Sequence, residues 1–310
     1  MTRSTTTTAT GGPADTGTPT VGRDAPAAKE PARGAAPRRR GSDGARPWEI
    51  WVPLGLYLAF TLVPFYWMLL YAFRPSGTTG LLPWPLTLDH LLRVWNESGF
   101  GVYFANSLKV GLVSMVATTV VALAGGYGLA RYDFRGKKAF LLAMLCTQFI
   151  PGALMLVPLF EIFKTVGLVN SLWSVIVAET VFQLPLSLIL LSGFIRNVPR
   201  ELEEAAWVDG CSRFRGFLVT VLPLLRPGLI AVGSFAFIHS WNHFLFALMF
   251  LSDQEKYTVP VGLSYTIGES GSDLGSLAAG GVVAAVPVIV VFALIQRYLV
   301  KGLSAGAVKG

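Results

Sequence analysis

From Trp51 onward the chain alternates long apolar runs with short polar connections. A helix needs about 20 apolar residues to cross the hydrocarbon core of a bilayer. Six stretches reach that length: Trp51–Phe73, Phe104–Ala130, Ala139–Phe163, Leu172–Ile195, Leu229–Leu251 and Gly280–Val300. They predict an all-α polytopic membrane protein with six transmembrane helices. Pro64, Pro151, Pro185 and Pro287 fall inside the runs, and bilayer helices tolerate them because neighbouring helices and local adjustments satisfy the freed carbonyls. Gly125 and Gly126, with Gly128, would let a second helix approach closely.

Residues 1–46 are rich in Thr, Ala, Gly, Pro and Arg. Such a stretch buries too little apolar area to offset the ordering of its backbone, so a disordered cytoplasmic tail is expected there. It has no short apolar core ahead of a small-residue cleavage site, so a signal peptide is not expected. The remaining divisions are a first helix with its outer loop at 47–102, a five-helix core at 103–300 and a C-terminal tail at 301–310.

The connections carry their basic residues on alternate sides. The tail has Arg38, Arg39, Arg40 and Arg46; the loop after the second run has Arg131, Arg135, Lys137 and Lys138; the loop after the fourth has Arg196, Arg200, Arg213, Arg215 and Arg226. The intervening loops are poor in them. Lys and Arg accumulate in cytoplasmic loops, so both termini are expected in the cytoplasm. A net charge of +7 therefore reports topology, and no basic stripe with interleaved aromatics points to nucleic acid. Trp48, Trp51, Trp95, Tyr103, Trp173 and Tyr298 are expected as interfacial anchors, in contact with membrane lipid. Cys146 and Cys211 have neither disulfide nor metal-ligand spacing, and Cys146 reads as a small buried hydrophobe.

The connection Arg196–Arg226 is long, and its pattern is helical. Pro199 suits a helix start, and Glu201, Glu203 and Glu204 fall in the first turns, where the helix dipole favours negative charge. Leu202, Ala205 and Ala206 share a face, and Gly210 supplies a stop. A second short helix can begin near Ser212 and end before Pro223. Two readings are open: an amphipathic helix in the headgroup layer, or a docking helix whose alanines allow close approach while Glu204 and Asp209 meet cations on a partner. Three clustered acids argue against the first, since membrane-surface helices favour Lys and Arg.

These residues also carry a resemblance. Glu204-Ala205-Ala206, Asp209-Gly210, Leu222-Pro223 and Pro227 resemble the EAA signature of permease subunits of binding-protein-dependent ABC importers. Leu184-Pro185, Trp241-Asn242 with Phe244-Leu245, and Val259-Pro260-Val261-Gly262-Leu263 are similar to the carbohydrate-uptake branch. The ending Gln296-Arg297-Tyr298, Gly302-Leu303 and Ala305 to Gly310 resembles the smaller permease subunit of the maltose-type transporter. Cys211 stands where the family more often has Ala, and His243 where an acid is commoner.

The resemblance implies a type I ABC importer permease fold and a division of labour. A dimer of ATP-binding subunits would hold ATP and Mg, so this chain needs no cofactor and is not itself an enzyme. A second permease subunit would complete the path, and an extracytoplasmic solute-binding protein would deliver a sugar or oligosaccharide. Glu203, Glu204, Ala205, Ala206, Asp209, Gly210 and Pro223 would couple to the ATPase. Gly302, Ala305, Gly306, Val308, Lys309 and Gly310 would make a second ATPase contact, and the loop Ser252–Ala279 would touch the binding protein. The chain's own nearest phosphate-loop pattern, Gly136-Lys137-Lys138, lacks the upstream glycine and the following Ser or Thr.

Polar residues inside the runs are the remaining candidates. Glu179 and Gln183, four apart, could line a path for a polyhydroxylated solute or form an interhelical pair; Asn242 is a third path candidate. Glu161 and Lys109 lie nearer span ends, where solvation is easy. His239 and His243 are also four apart and could share a metal, but no third ligand is evident. Alternative solutes are polyamines and glycerol phosphate. An ion-coupled secondary transporter would be expected to have internal repeats and broken charged helices, and no repeat is visible.

Overall fold

The computed structural model describes residues 47–82, 84–269 and 273–307. Among these, the chain is helical with no strand. It divides into two compact units, Met1–Gly55 and Leu56–Gly310. The described part of the first is the opening turns of α1 (Pro47–Phe73); everything below concerns the second.

Among the described residues four helices are long and apolar enough to cross a membrane, and the number rises to six if each of two bent pairs counts as one span. The four are α1, α3 (Phe100–Arg131), α6 (Leu172–Arg196) and α13 (Leu274–Ala307). A short helix, α2 (Asp89–Glu97), precedes α3. The expected third span is not one rod. It comprises α4 (Lys137–Thr147) and, after a short 3₁₀ turn, α5 (Leu156–Thr165), with a bend of 94° between them. Pro151 sits at the bend with ψ 126°, outside the helical region, and proline both lacks an N–H and disfavours helix at the residue before it.

The expected fifth span is likewise divided. After α7 (Glu201–Val208), the chain forms α8 (Arg213–Gly216), a wide π turn at Phe217–Val221, α9 (Leu222–Leu224) and then α10 (Arg226–Asn242). The path turns by 76° between Leu224 and Arg226, where Pro227 starts the new helix. The second short helix thus runs through Pro223 rather than ending before it. α10 stops at Asn242 because His243 is extended (ψ 127°), and α11 (Leu245–Phe250) follows. A final short helix, α12 (Val259–Glu269), leads to α13.

α3 lies at the centre. Four buried clusters form the core, and α3 contributes to each: Val110 with Phe246 and Phe250, Phe100 and Tyr103 with Phe237 and Trp241, Ala122 and Leu129 with Leu188 and Leu191, and Ala130 with Ile195 and Val221. Gly126 makes the α3–α6 contact possible, since a Cβ there would stand 3.2 Å from Ser192 N and 3.3 Å from Leu191 Cβ. Gly128 does not share this role, because it faces open space.

Cys146 is exposed, against expectation. It lies on α4, none of whose residues is buried, so an apolar run there reflects an outward face rather than a core. Tyr103, expected as an anchor, is instead buried, and its hydroxyl accepts from Gln254 Nε2 at 2.8 Å. The side chain of Tyr298 lies outside the described residues.

Candidate functional site

The polar segment between α6 and α10 is built around its glycine stop. Gly210 has φ +85°, its N–H donates to Trp207 O at 3.0 Å, and Cys211 N donates to Ala206 O at 3.0 Å. Those two bonds form a Schellman ending, which needs a residue comfortable at positive φ. Ser212 then caps α8, its hydroxyl accepting from Arg215 N at 3.3 Å. The turn between helices is therefore fixed from both sides.

The three acids of α7 have different fates. Glu203 is its one buried residue, 3 % exposed. Arg131 Nε donates to Glu203 Oε1 at 2.6 Å, Tyr127 Oη donates to Oε2 at 2.7 Å, and Arg131 also donates to Val198 O at 3.0 Å. Arg200 returns the contact by donating to Arg131 O at 3.1 Å. A buried carboxylate requires such compensation. Glu203 therefore clamps α7 to the end of α3 and is not presented to a partner. Glu201, Glu204, Ala205 and Asp209 are exposed, and Ala206 is half-buried. Beside them Val208 and Phe214 are 87 % and 72 % exposed, and Arg213 lies over the Trp207 ring. Pro223 is exposed on α9. The surface thus combines acid with apolar side chains, and Val208 and Phe214 are members that residue spacing alone did not single out.

The ending behaves differently. Gly302, Ala305 and Gly306 belong to the last turns of α13, while Val308, Lys309 and Gly310 lie outside the described residues.

A second polar cluster sits between α6 and the end of α10. Glu179 is 0 % exposed and Gln183 3 %. Gln183 Nε2 donates to Glu179 Oε2 at 3.2 Å, His239 Nδ1 is 3.1 Å from the same oxygen, and His243 Nδ1 is 2.8 Å from Oε1. The two imidazoles stack with centroids 5.5 Å apart. Glu179 is thus the acid that faces the histidine pair, an interhelical relation invisible in spacing along one helix. Among the described residues no group of three His, Cys, Asp or Glu side chains is arranged to hold a metal ion. Glu179 and Gln183 are sealed in the helix contact and do not line an open path in this conformation. His239 is the exposed member, at 40 %. Asn242 is exposed and donates to Ile238 O of its own helix at 2.9 Å.

At the opposite end of α3, polar side chains hold the loop between α11 and α12. Asn106 Nδ2 donates to Glu255 O and Tyr257 O at 2.8 and 3.1 Å, and Val259 N donates to Ser107 Oγ at 2.8 Å. Asn170, at φ 58°, accepts from Ser252 N and Asp253 N at 3.1 Å and donates to Asp253 Oδ2 at 2.7 Å. Lys256 and Asn170 together hold the Asp253 carboxyl below its ordinary value of 3.8.

His90, which carries no visible chemistry in the sequence, is buried. Its Nε2 lies 3.1 Å from Arg74 O and its Nδ1 3.8 Å from Asp273 Oδ1. A side chain at Gly275 would collide with the ring at 2.3 Å. Asp273 caps α13, accepting from Ser276 Oγ at 2.6 Å and Gly275 N at 3.1 Å. Burial pushes the Asp273 carboxyl up, but the bonds from Ser276 and the nearby His90 outweigh it and leave the value lowered.

A bundle of apolar, outward-facing helices with a capped polar helix–turn–helix between two of them defines a polytopic membrane protein. Residues 122–305 match the family described as binding-protein-dependent transport system inner membrane component. The chain belongs to that family, and is therefore a membrane-embedded, non-catalytic permease component of an ABC transporter. It is 35% identical over 278 residues to a probable ABC transporter permease protein, YurM, of Bacillus subtilis, covering 88% of this chain and 92% of the relative. It is also 35% identical over 252 residues to DasC of Streptomyces coelicolor, a diacetylchitobiose uptake system permease protein, covering 80% and 91%. SugB of Mycobacterium tuberculosis, a trehalose transport system permease protein, is 33% identical over 273 residues, covering 86% and 100%. In fold, the chain is similar to one from a bacterial ABC transporter involved in import of the acidic polysaccharide alginate. That likeness has a TM-score of 0.71 at 22% identity, covering 82% of this chain and 98% of the other.

Proposed function

We propose that this chain is one of two permease subunits of an ATP-driven importer of a sugar or oligosaccharide. Six spans cross the membrane, with each bent pair read as one, and both termini are cytoplasmic. The α7–α8 segment docks on a separate dimer of ATP-binding subunits that holds ATP and Mg. The loop held by Asn106 and Asn170 faces the extracytoplasmic solute-binding protein, and the last turns of α13 with the residues beyond them make a second ATPase contact. The relatives' uptake of diacetylchitobiose, arabinooligosaccharides and trehalose supports the solute class. The outward apolar side chains of α1 and of α4 support contact with lipid and with a second permease subunit, since large apolar surfaces on one chain mark interaction faces.

The observation that carries the reading is the division of labour within α7. Glu203 turns inward and fixes the helix, leaving Glu204, Ala205, Val208 and Phe214 around a rigid glycine-stopped turn. Charge there would pair with cations of the ATPase, and Val208 with Phe214 would fill its cleft. Given a buried cation opposite, Glu204→Ala should weaken docking by about 2–5 kcal/mol. The test is co-purification of ATP-binding subunits on a tag attached to this chain, with ATP hydrolysis measured in the eluate. Wild-type recovery with little recovery on Glu204→Ala or Gly210→Pro is expected; normal recovery and hydrolysis with both variants would sink the docking reading. In this scheme Glu179 and Gln183 act on the path indirectly, by orienting His239 beside it.

A further inference from the structure

α3 is a long helix whose two ends are, among the described residues, both hydrogen-bonded to segments given partners above. At the inner end Tyr127 and Arg131 hold Glu203 of α7, with Arg131 also bonded to Val198 O. At the outer end Tyr103, Asn106 and Ser107 hold Gln254, Glu255, Tyr257 and Val259. Between them the helix runs 32 residues without a proline, whereas α6 and α13 carry Pro185 and Pro287. At 1.5 Å per residue, Asn106 and Arg131 stand about 38 Å apart. Along that length α3 enters all four core clusters, so the rest of the bundle is packed on it.

We propose that α3 is the strut that links the state of the ATPase to the loop facing the binding protein, with Arg131 and Asn106 as positioning residues at its two ends. This rests on the docking reading above. A displacement of α7 cannot leave α3 behind without breaking a buried ion pair and two further hydrogen bonds. Separation at the far end would strip acceptors and donors from the 254–259 backbone. Buried polar groups left without partners are costly, so moving the helix as a unit is the cheaper response. Coupling of two sites in this way requires each partner to favour one position of the strut.

The test uses the complex purified on a tag on this chain and placed in lipid nanodiscs, with Cys146 and Cys211 replaced by serine. Ser252→Cys supplies a maleimide target in the outer loop, read without nucleotide and with MgATP plus vanadate. In the parent complex, nucleotide trapping should shift the labelling rate by about 5-fold or more, the low end of ordinary allosteric coupling. Arg131→Lys keeps the charge opposite Glu203 but loses the planar fork that makes its two bonds. Asn106→Ala cuts the far end. Each should reduce the shift to less than about 2-fold while the ATP-binding subunits still co-purify.

An undiminished shift in either variant would overturn the strut, as would loss of the ATP-binding subunits from Arg131→Lys, which would make the clamp part of docking itself. No shift in a parent complex that retains its ATPase also overturns it. A parent complex that recovers no ATPase instead removes the docking reading, and separates the two failures.

Discussion

Gly126 and Gly128 stand two positions apart on α3 and differ in what surrounds them. At 126 the backbone of α6 is within van der Waals reach of any added carbon; at 128 there is open space. Gly126→Val should therefore force α3 and α6 apart and destabilise the protein by about 1–3 kcal/mol, the ordinary cost of overpacking. Gly128→Ala should leave the melting temperature unchanged within error or raise it slightly, since alanine favours helix. Thermal melting followed by fluorescence-detected gel filtration distinguishes them; equal losses at both sites would refute the close contact. The same contrast governs the acids of α7. Glu201, Glu203 and Glu204 look equivalent by residue type, and the choice of Glu203 as the inward one depends on Tyr127 and Arg131, more than seventy positions earlier.

At the scale of elements, the loop after α11 is held from outside itself. Asn170 adopts φ 58° and satisfies two consecutive loop N–H groups. Asn170→Ala loses both bonds and meets the left-handed penalty, together about 2 kcal/mol. Amide exchange at residues 252 and 253 should accelerate accordingly, and unchanged exchange would remove Asn170 from the role. The ion pair adds a pH dependence. Because the Asp253 carboxyl sits below 3.8 in the folded loop, its stabilisation is complete above that pH and is lost as the pH falls through the depressed value. The protection factors of the loop amides, corrected for intrinsic exchange at each pH, should therefore fall on acidification below about pH 4 and stay flat above it.

Elements of this kind were unevenly legible in the sequence. The Gly210 stop and the helix before it followed from local rules, because a C′ glycine acts within six residues. The bend at Pro151 was signalled by a proline yet hidden by unbroken apolarity, which reports environment and not straightness. The break at His243 carried no local signal. The Glu179 cluster stayed out of sight because its acid and its imidazoles come from helices sixty residues apart in the chain.

For the molecule as a whole, the alternation of basic loops predicts the orientation in the membrane. Single cysteines at Asp133 and at Ser252, in a background lacking Cys146 and Cys211, should label from opposite faces of the membrane. Position 133 should need a permeant reagent in whole cells, and 252 should react with an impermeant one once any outer barrier is opened. Labelling of both from one side would contradict the six-span topology. The apolar side chains of α1 and α4 point outward over much of their length. Such a face suits contact with lipid and, in the reading proposed above, with a second permease subunit.

That outward face has a consequence for inheritance. From Leu56 to Leu69 almost every large side chain of α1 is exposed and meets no fixed neighbour within this chain, while α3 buries a stripe that runs from Phe100 to Ala130. Substitutions in α1 that keep its oiliness are close to silent, so the helix can drift freely through generations. The buried stripe of α3 cannot, because each change there must suit its neighbours at once. Much of this chain's divergence from its relatives should lie on such outward faces.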